Sequence, residues 1–398
     1  MTETLPNSAA PSATPQRAKE REREFDLLCA TARGELAPRT RDRIANWDFS
    51  SFDRTAFLRL AEHHGVLPLA ARNLIEHVSG LPLEIHRALR SAYEENLRRS
   101  LWFTAELVRI VQHFERCHVR AVPYKGSLLA QSLYGDPGLR SFSDLDFLIS
   151  SVDFERAKQA LADIGYLPSA VFTPTVEQFW LRKGYERSFD GLAGKYLVEL
   201  QWALLPYFYA IELPVEDLLA RARTTIVGGY EMCGLSPEDS LVALCLHAGK
   251  HLWTRLIWLA DIAETLRTQT VDYSLMLSRA RALGVARILG VSFWLAKNVL
   301  DAELPTPAEE MIESDSRISS LGREFAERLA RGRSYDFEST EYFRLIMELR
   351  ERRRDRWRYL WRLFWTPGAG DLAAVQLPET LFPLYHGVRI GRLIRRLT

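Results

Sequence analysis

Hydrophobic residues in the first part of the chain recur at steps of three and four positions, the spacing of one helix face. The clearest series is Leu89, Tyr93, Leu97, Leu101, Ala105, Val108 and Val111. The pattern predicts an N-terminal helical region over residues 21–114. Residues 1–20 lack this pattern and are rich in Ser, Thr, Pro and Ala, so we expect a disordered tail there.

Short apolar runs alternate with helical stretches between residues 115 and 232. The predicted strands cover residues 119–124, 143–149, 185–189 and 196–202, with a helix at 127–134. A turn-like segment at 190–194 joins the last two strands, which predicts a hairpin. We expect these strands to form one small mixed sheet.

Helical periodicity returns in residues 233–398. Ser236 can cap the first of these helices, and Pro237 suits its first turn. The predicted fold class is therefore α+β, with a small mixed β-sheet core at 115–232 between N-terminal and C-terminal helical regions.

Two aspartates alternate with apolar residues in the strand at 143–149. Successive side chains on a strand point to opposite faces, so Asp144 and Asp146 share one face while Leu145 and Phe147 share the other. Two carboxylates on one face suit a hard cation such as Mg²⁺, which is completed by water and substrate phosphates. The alternative is a strand edge with solvated aspartates, which shows the same alternation.

A glycine-serine turn precedes the helix at 127–134. Gly126 allows the backbone to approach a ligand closely. The first amide groups of the helix have no partner within it, so Ser127 and its neighbours can bind a phosphate. Alternatively, Ser127 caps the helix.

These motifs together resemble the nucleotidyltransferase superfamily whose best-known member is DNA polymerase beta. The chain is similar in particular to a bacterial group described as uncharacterised nucleotidyltransferases, over residues 50 to about 270. The matching segments are Lys125-Gly126-Ser127-Leu128-Leu129-Ala130, Leu133 to Arg140, Ser143-Asp144-Leu145-Asp146, Val198 to Trp202 and Leu235 to Asp239, followed by His247, Lys250, His251 and Asp261.

The resemblance implies a third carboxylate, which falls on Glu199. It also implies that Asp144 and Asp146 hold two Mg²⁺ or Mn²⁺ ions, and that Glu199 helps to bind the second ion or takes the acceptor's proton. Independently of the resemblance, an acid in so apolar a strand lies either at the solvent edge or on a metal.

Two departures from the family pattern stand out. Sixteen residues separate Ser127 from Asp144, which implies an enlarged loop. Gln201 stands where the group has histidine, so its role is open.

Several basic residues are candidates for contacts with the triphosphate. Lys250 and a neighbouring histidine can face the phosphates from the helix after Ser236, while helix packing is the alternative for His247 and His251. A zinc site is disfavoured, because Asp261 would lie about 15 Å beyond His251 on a continuous helix. Lys125 and Arg140 flank the two motifs and either bind phosphate or lie on the surface.

Composition limits the classes of partner. The formal charge of +1, from 52 basic and 51 acidic residues, gives no overall attraction to nucleic acid, so any polyanion site is local. Four scattered cysteines and a polar N-terminus without a signal-peptide core predict a reducing, cytoplasmic location. No apolar run reaches the ~18 residues of a membrane span.

An arginine- and tryptophan-rich segment near the C-terminus predicts a basic amphipathic helix. Its apolar residues Trp357, Leu360, Trp361 and Phe364 fall on one stripe. We favour a stripe packed into the core with solvated arginines. The alternative is weak contact with an anionic membrane or with nucleic acid.

The predicted function is metal-dependent transfer of a nucleoside monophosphate from a nucleoside triphosphate to an acceptor hydroxyl, with release of pyrophosphate. The acceptor is open between a small molecule, a sugar, a protein and an RNA end. Two alternatives are a non-catalytic nucleotide sensor or scaffold, and a kinase-like enzyme that would attack the γ-phosphate.

Overall fold

The computed structural model describes residues 15–50, 52–191, 196–332, 339–375 and 377–397. The described residues before the sheet form helices α1 Pro15–Thr31, α2 Pro38–Ala45, α3 Arg54–His63, α4 Leu67–His77 and α5 Leu83–Arg116. The disordered tail was predicted at residues 1–20. Residues 1–14 of it lie outside the described residues, and helix α1 already begins at Pro15.

Helix α5 corrects part of the predicted hydrophobic series. Leu101 and Ala105 are exposed, and the buried stripe of this half of the helix instead includes Phe103, Leu107 and Phe114. The predicted helical spacing of three or four residues was correct. Two neighbouring stripes of α5 both have this spacing, so the spacing alone did not show which one is buried.

The sheet contains β1 Ala121–Pro123, β2 Asp144–Ile149, β3 Leu167–Pro168, β4 Glu186–Asp190 and β5 Leu197–Gln201. Their spatial order is β1-β2-β5-β4-β3. The β2–β5 pair is parallel and the other pairs are antiparallel, so the sheet is mixed as predicted. The helices α6 Ser127–Tyr134, α7 Phe154–Asp163, α8 Pro174–Lys183 and α9 Val215–Ala220 connect or flank these strands.

One face of the sheet is covered by aromatic packing. Phe114 of α5 lies against Phe147 of β2, with ring centroids 5.5 Å apart. Phe154 of α7 lies against Trp202, just after β5, at 5.2 Å. The opposite face of β2 carries the aspartates, so burial of one face leaves the other for polar chemistry.

A second sheet of two strands, β6 Arg223–Val227 and β7 Tyr230–Gly234, follows the first and was not predicted. Gly228 and Gly229 form its turn, with φ of 59° and 77°. A Gly-Gly pair between strand-like runs is a recognised hairpin signal, so this element could have been found in the sequence.

The rest of the described chain is helical, which confirms the predicted α+β class. The helices are α10 Pro237–Lys250, α11 Leu256–Thr268, α12 Tyr273–Leu283, α13 Ala286–Leu300, α14 Thr306–Glu313, α15 Ser316–Ala330, α16 Thr340–Leu349, α17 Arg353–Trp365, α18 Ala369–Ala374 and α19 Tyr385–Leu397. The Ser236 hydroxyl caps α10, accepting from the amide of Asp239 at 3.2 Å, as predicted. None of the helices in the described ranges combines the length and apolarity that crossing a bilayer requires.

Candidate active site

Three carboxylates meet on two neighbouring strands. Asp144 and Asp146 leave β2 on one face, and Glu199 of β5 is the register partner of Asp146. One carboxylate oxygen from each residue lies within 4.8 Å of the others. Within the described ranges, this is the one group of three or more acid, histidine or cysteine side chains close enough to share a metal ion.

The trio is embedded in the protein. Asp146 is only 5% exposed and Asp144 is half-buried, so the alternative of solvated aspartates on a strand edge is wrong. Moreover, β2 lies inside the sheet between β1 and β5. Carboxylates this close together in a partly dry site repel one another unless positive charge or protons compensate.

Burial and that repulsion together raise the pKa of two of the carboxyl groups. Burial, followed by the negative charge of Asp146, raises the pKa of Asp144 to about 6. Burial, followed by the charges of Glu186 and Asp146, raises the pKa of Glu199 to about 9. A divalent cation would relieve the same repulsion, so the three residues fit a hard metal ion bound through oxygen.

Lys125 provides part of the compensation within the chain itself. Its Nζ donates to Oδ1 of Asp146 at 3.3 Å. Burial alone would lower the pKa of this ammonium, but the charges of Asp146 and the neighbouring groups outweigh burial and raise it. Lys125 therefore stays positively charged beside the trio, at the start of the glycine-serine turn.

The turn has the conformation that its sequence predicts. Gly126 has φ +54°, and a Cβ there would come within 3.4 Å of the Phe142 ring and 3.5 Å of the Asp144 carbonyl oxygen. Because side chains rarely adopt this φ, the position favours glycine. The turn thus runs directly against the start of β2.

Ser127 opens α6 but does not cap it, because the N-cap position is Gly126 and no side-chain cap bond forms. The capping alternative is therefore wrong. Its hydroxyl is buried and has no hydrogen-bond partner in the described part of the chain. A buried hydroxyl without a partner is costly, and a ligand oxygen that accepted its proton would remove that cost.

Gln201 connects the carboxylates. Its Nε2 donates to Asp146 at 2.8 Å and to Glu199 at 3.1 Å. Its Oε1 accepts from the Tyr124 hydroxyl at 2.5 Å, which fixes the orientation of the amide. The residue that departs from the family pattern therefore holds two members of the trio in place.

Glu186 is a fourth acid that the sequence analysis missed. It is the register partner of Gln201 on β4, and its Oε2 accepts from Gln201 at 3.4 Å. The signal was available, because a strand acid opposite Gln201 lies on the face that carries Glu199. Without that pairing, the sequence does not distinguish a site acid near the start of a hairpin strand from a solvent-exposed acid.

Lys250 lies on the acidic side of the sheet. Its Nζ is 3.5 Å from the hydroxyl of Tyr185 and 4.8 Å from the centre of that ring. Burial lowers the pKa of Lys250, and the charges of Glu186 and Glu199 act against that shift. Helix α10 therefore brings a half-buried cation toward the acidic cluster.

His247 and His251 pack with an aromatic partner. Their rings lie 4.8 Å apart, and both contact Trp258, at 5.3 Å and 5.0 Å. Burial, followed by nearby positive groups, lowers the pKa of both histidines, so they are neutral at pH 7. They belong to no metal-ligand group in the described residues.

Arg140 is placed differently from the prediction. It forms a buried two-pronged pair with Asp261, with Nε and Nη2 each within 3.1 Å of carboxylate oxygens. Tyr134 also donates to Asp261, at 3.0 Å. The guanidinium therefore holds α11 to the segment before β2, and its donors facing Asp261 are unavailable to a phosphate.

The argument against zinc also needs correction. Helices α10 and α11 are separate, because the chain turns at Leu252 and Trp253, with φ of 48° and 51°. Distance along a continuous helix does not keep Asp261 from His251. The carboxylate is instead engaged by Arg140.

A small mixed sheet with three carboxylates on adjoining strands, next to a glycine turn and a helix N-terminus, is the arrangement of a nucleotidyltransferase. The sequence model of the uncharacterised nucleotidyltransferase family matches residues 50–301, and the chain belongs to this family. Neither the curated proteins nor the solved structures yield a significant match to the chain.

Proposed function

We propose that the protein transfers a nucleoside monophosphate from a nucleoside triphosphate to an acceptor hydroxyl and releases pyrophosphate. The observation that carries this proposal is the trio of Asp144, Asp146 and Glu199 within metal-sharing distance. The Gly126 turn runs against the backbone of Asp144, and the Ser127 hydroxyl that follows it is buried and has no partner among the described residues. Residues 115–232 form the proposed catalytic core.

The acidic trio is the proposed seat for Mg²⁺ or Mn²⁺. Such a cation supplies neutralisation of triphosphate charge and a lowered pKa for the acceptor hydroxyl. Asp144, Asp146 and Glu199 contribute the oxygen ligands, and Gln201 holds two of these carboxylates in orientation. Its amide has the role of the outer partners that orient metal ligands in other proteins.

The triphosphate has a proposed place at the glycine-serine turn. Gly126 allows close backbone approach, and the first amides of α6 point outward from the positive end of the helix dipole. Ser127 offers its hydroxyl to a phosphate oxygen. Lys125 and Lys250 supply positive charge from two sides, whereas we withdraw the phosphate role from Arg140.

The bond changes follow from this placement. The acceptor oxygen attacks the α-phosphorus, and the bond from that phosphorus to the bridging oxygen of the β-phosphate breaks. Pyrophosphate leaves with the bonding electrons, and the acceptor hydroxyl gives its proton to the Glu199 carboxylate or to water. Stabilisation of the charge on the phosphate oxygens is the main expected source of rate acceleration.

The proposed compartment is the reducing cytoplasm. All four cysteines, Cys29, Cys117, Cys233 and Cys245, are free thiols in the structure. Paired cysteines would be expected in an oxidising compartment.

The test is incubation with each nucleoside triphosphate labelled at the α-phosphate, with Mg²⁺ or Mn²⁺ and a cell extract as the source of acceptor. The proposal expects the α-label on an acceptor, with none transferred by Asp146→Asn. A parallel reaction with γ-label distinguishes the kinase-like alternative, which would move the γ-label and leave nucleoside diphosphate. Transfer of the γ-label alone would overturn the proposed reaction.

A further inference from the structure

Helix α17 presents a row of exposed aromatic side chains. Trp357 and Trp361 are 73% and 67% exposed, and Phe364 and Trp365 are each 41% exposed. This corrects the favoured expectation that the stripe packs into the core. The helix buries the opposite side instead, through Asp355, Tyr359 and Leu363.

A groove of about 890 Å³ adjoins this row, between α16, α17 and α19. Phe343 and Met347 of α16 and Ile394 of α19 contribute to its lining, together with the tryptophans. Ile394 is itself 55% exposed. A contiguous exposed apolar surface of this kind is typical of a site that binds a partner or a membrane.

The row is held outward by the packing of the other side of α17. Tyr359 is fully buried, and its ring lies 6.1 Å from that of Tyr209. Arg358 and Arg362 both pair with Glu212 on one flank of the helix. The tryptophans therefore cannot turn into the core without breaking these contacts.

Positive charge accompanies the aromatic row. Arg353 and Arg354 in the first turn of α17 are exposed. Arg353 is four residues before Trp357, and Arg354 is three before it, so both lie on the side of the helix that carries the tryptophans. An exposed face that joins tryptophans with arginines suits the headgroup region of a bilayer, where amphipathic rings and guanidinium groups both find partners.

We propose that α17 and the adjoining groove dock on the surface of a bilayer that contains anionic lipids. Basic residues close to such a surface are attracted to it, and the aromatic rings enter the boundary between headgroups and acyl chains. A second copy of the chain is the weaker candidate, because a two-fold interface would bring the same exposed arginines together. The proposal does not rest on nucleotidyl transfer.

The test is co-sedimentation of the full-length protein with vesicles of phosphatidylcholine, alone or with phosphatidylglycerol. We expect binding to the mixed vesicles that weakens as salt is added, and little binding to the neutral ones. Trp357→Ala combined with Trp361→Ala should reduce binding at least about tenfold, with an unchanged melting temperature because both side chains are exposed. Arg353→Gln combined with Arg354→Gln should also weaken binding by roughly tenfold.

Trp102→Ala is the matched control, since Trp102 is 69% exposed on α5, and it should leave binding unchanged. Arg98→Gln combined with Arg99→Gln on α5 is the control for the loss of two arginine charges, and it should also leave vesicle binding unchanged. Equal binding to neutral and anionic vesicles, or wild-type binding by the double tryptophan variant, would overturn the proposal. The proposal would also be overturned if the wild-type protein does not bind vesicles and instead forms a dimer, or a complex with single-stranded RNA, that the double tryptophan variant loses.

Discussion

Asp146 and Glu199 are paired residues on adjacent parallel strands, so their carboxylates leave the same face of the sheet side by side. The parallel register thereby concentrates negative charge inside the protein. Lys125 and Gln201 offset that charge with single contacts to Asp146. The arrangement is the one expected of a site that binds a cation together with its substrate.

Loss of either aspartate should remove the metal site without unfolding the protein. Asp144→Asn and Asp146→Asn each delete a ligand charge and relieve repulsion within the trio. We expect affinity for Mn²⁺ with a nucleoside triphosphate to fall by more than about tenfold, because even residues outside the ligand set cost that much. The melting temperature of metal-free Asp144→Asn should be unchanged or higher, whereas that of Asp146→Asn should fall, because the buried Lys125 loses the carboxylate with which it pairs.

Isothermal titration calorimetry and thermal unfolding measure both quantities. Asp190→Asn is the matched control, because Asp190 lies exposed at the end of β4 in the same sheet. Wild-type affinity in both aspartate variants would refute the assignment of the site.

Metal affinity should rise with pH. The pKa of Asp144 is raised to about 6 and that of Glu199 to about 9, so below these values a cation must displace protons from its ligands. Affinity should therefore increase as the pH rises from about 6 toward 9. Glu199→Gln should flatten the upper part of this profile, because it removes the group with the higher pKa.

Manganese titrations followed by electron paramagnetic resonance at several pH values provide the measurement. An affinity of the wild-type protein that does not vary across this range would show that these carboxyls do not bind the ion.

Gln201 should act on the metal through the carboxylates that it orients. Gln201→Leu keeps a similar volume but removes the bonds donated to Asp146, Glu199 and Glu186, so metal affinity should fall by about 10- to 100-fold. It also leaves the Tyr124 hydroxyl without its acceptor, so the melting temperature should fall as well. Gln201→His restores a ring donor and should recover part of the affinity.

The metal affinity of Gln201→Leu, compared with its melting temperature, distinguishes an orienting role from a packing role. If Gln201→Leu loses stability but keeps wild-type metal affinity, Gln201 is only a packing residue.

Substitutions of Lys250 and His247 should affect different properties, nucleotide affinity for Lys250 and protein stability for His247. Lys250→Ala should weaken nucleoside triphosphate binding by about 10- to 100-fold, the usual cost of a lost charge-assisted bond, with little change in melting temperature. His247→Ala removes a ring packed on His251 and Trp258, so the protein should lose about 1–3 kcal/mol of stability.

Lys297→Ala is the control for a lysine that lies exposed on α13. Equal nucleotide affinity in the Lys250 and Lys297 variants would remove Lys250 from the site.

The parts of the structure that follow from local pattern were predictable. Alternation along β2 placed Asp144 and Asp146 on one face, and one turn signal predicted the hairpin of β4 and β5. Each of these two inferences needs only the period of a strand and one turn signal. The position of Glu199 beside the aspartates was instead implied by the family resemblance, because it depends on the pairing of β5 with β2.

What failed depends on contacts between distant residues. Arg140 lies next to the site in sequence, yet its partner Asp261 is 121 residues away. The pattern of α17 showed which residues share a side of the helix, but not which side meets the protein. That choice is made by Tyr359 packing on Tyr209, a contact that spacing does not encode.

The most direct test is a crystal structure with Mn²⁺ and a nucleoside triphosphate whose α–β bridge is a methylene group, since it requires no knowledge of the acceptor. We predict an anomalous manganese peak bound by Asp144, Asp146 and Glu199, with the triphosphate at Gly126 and Ser127. Manganese or triphosphate bound elsewhere, with the three carboxylates free of metal, would contradict the account.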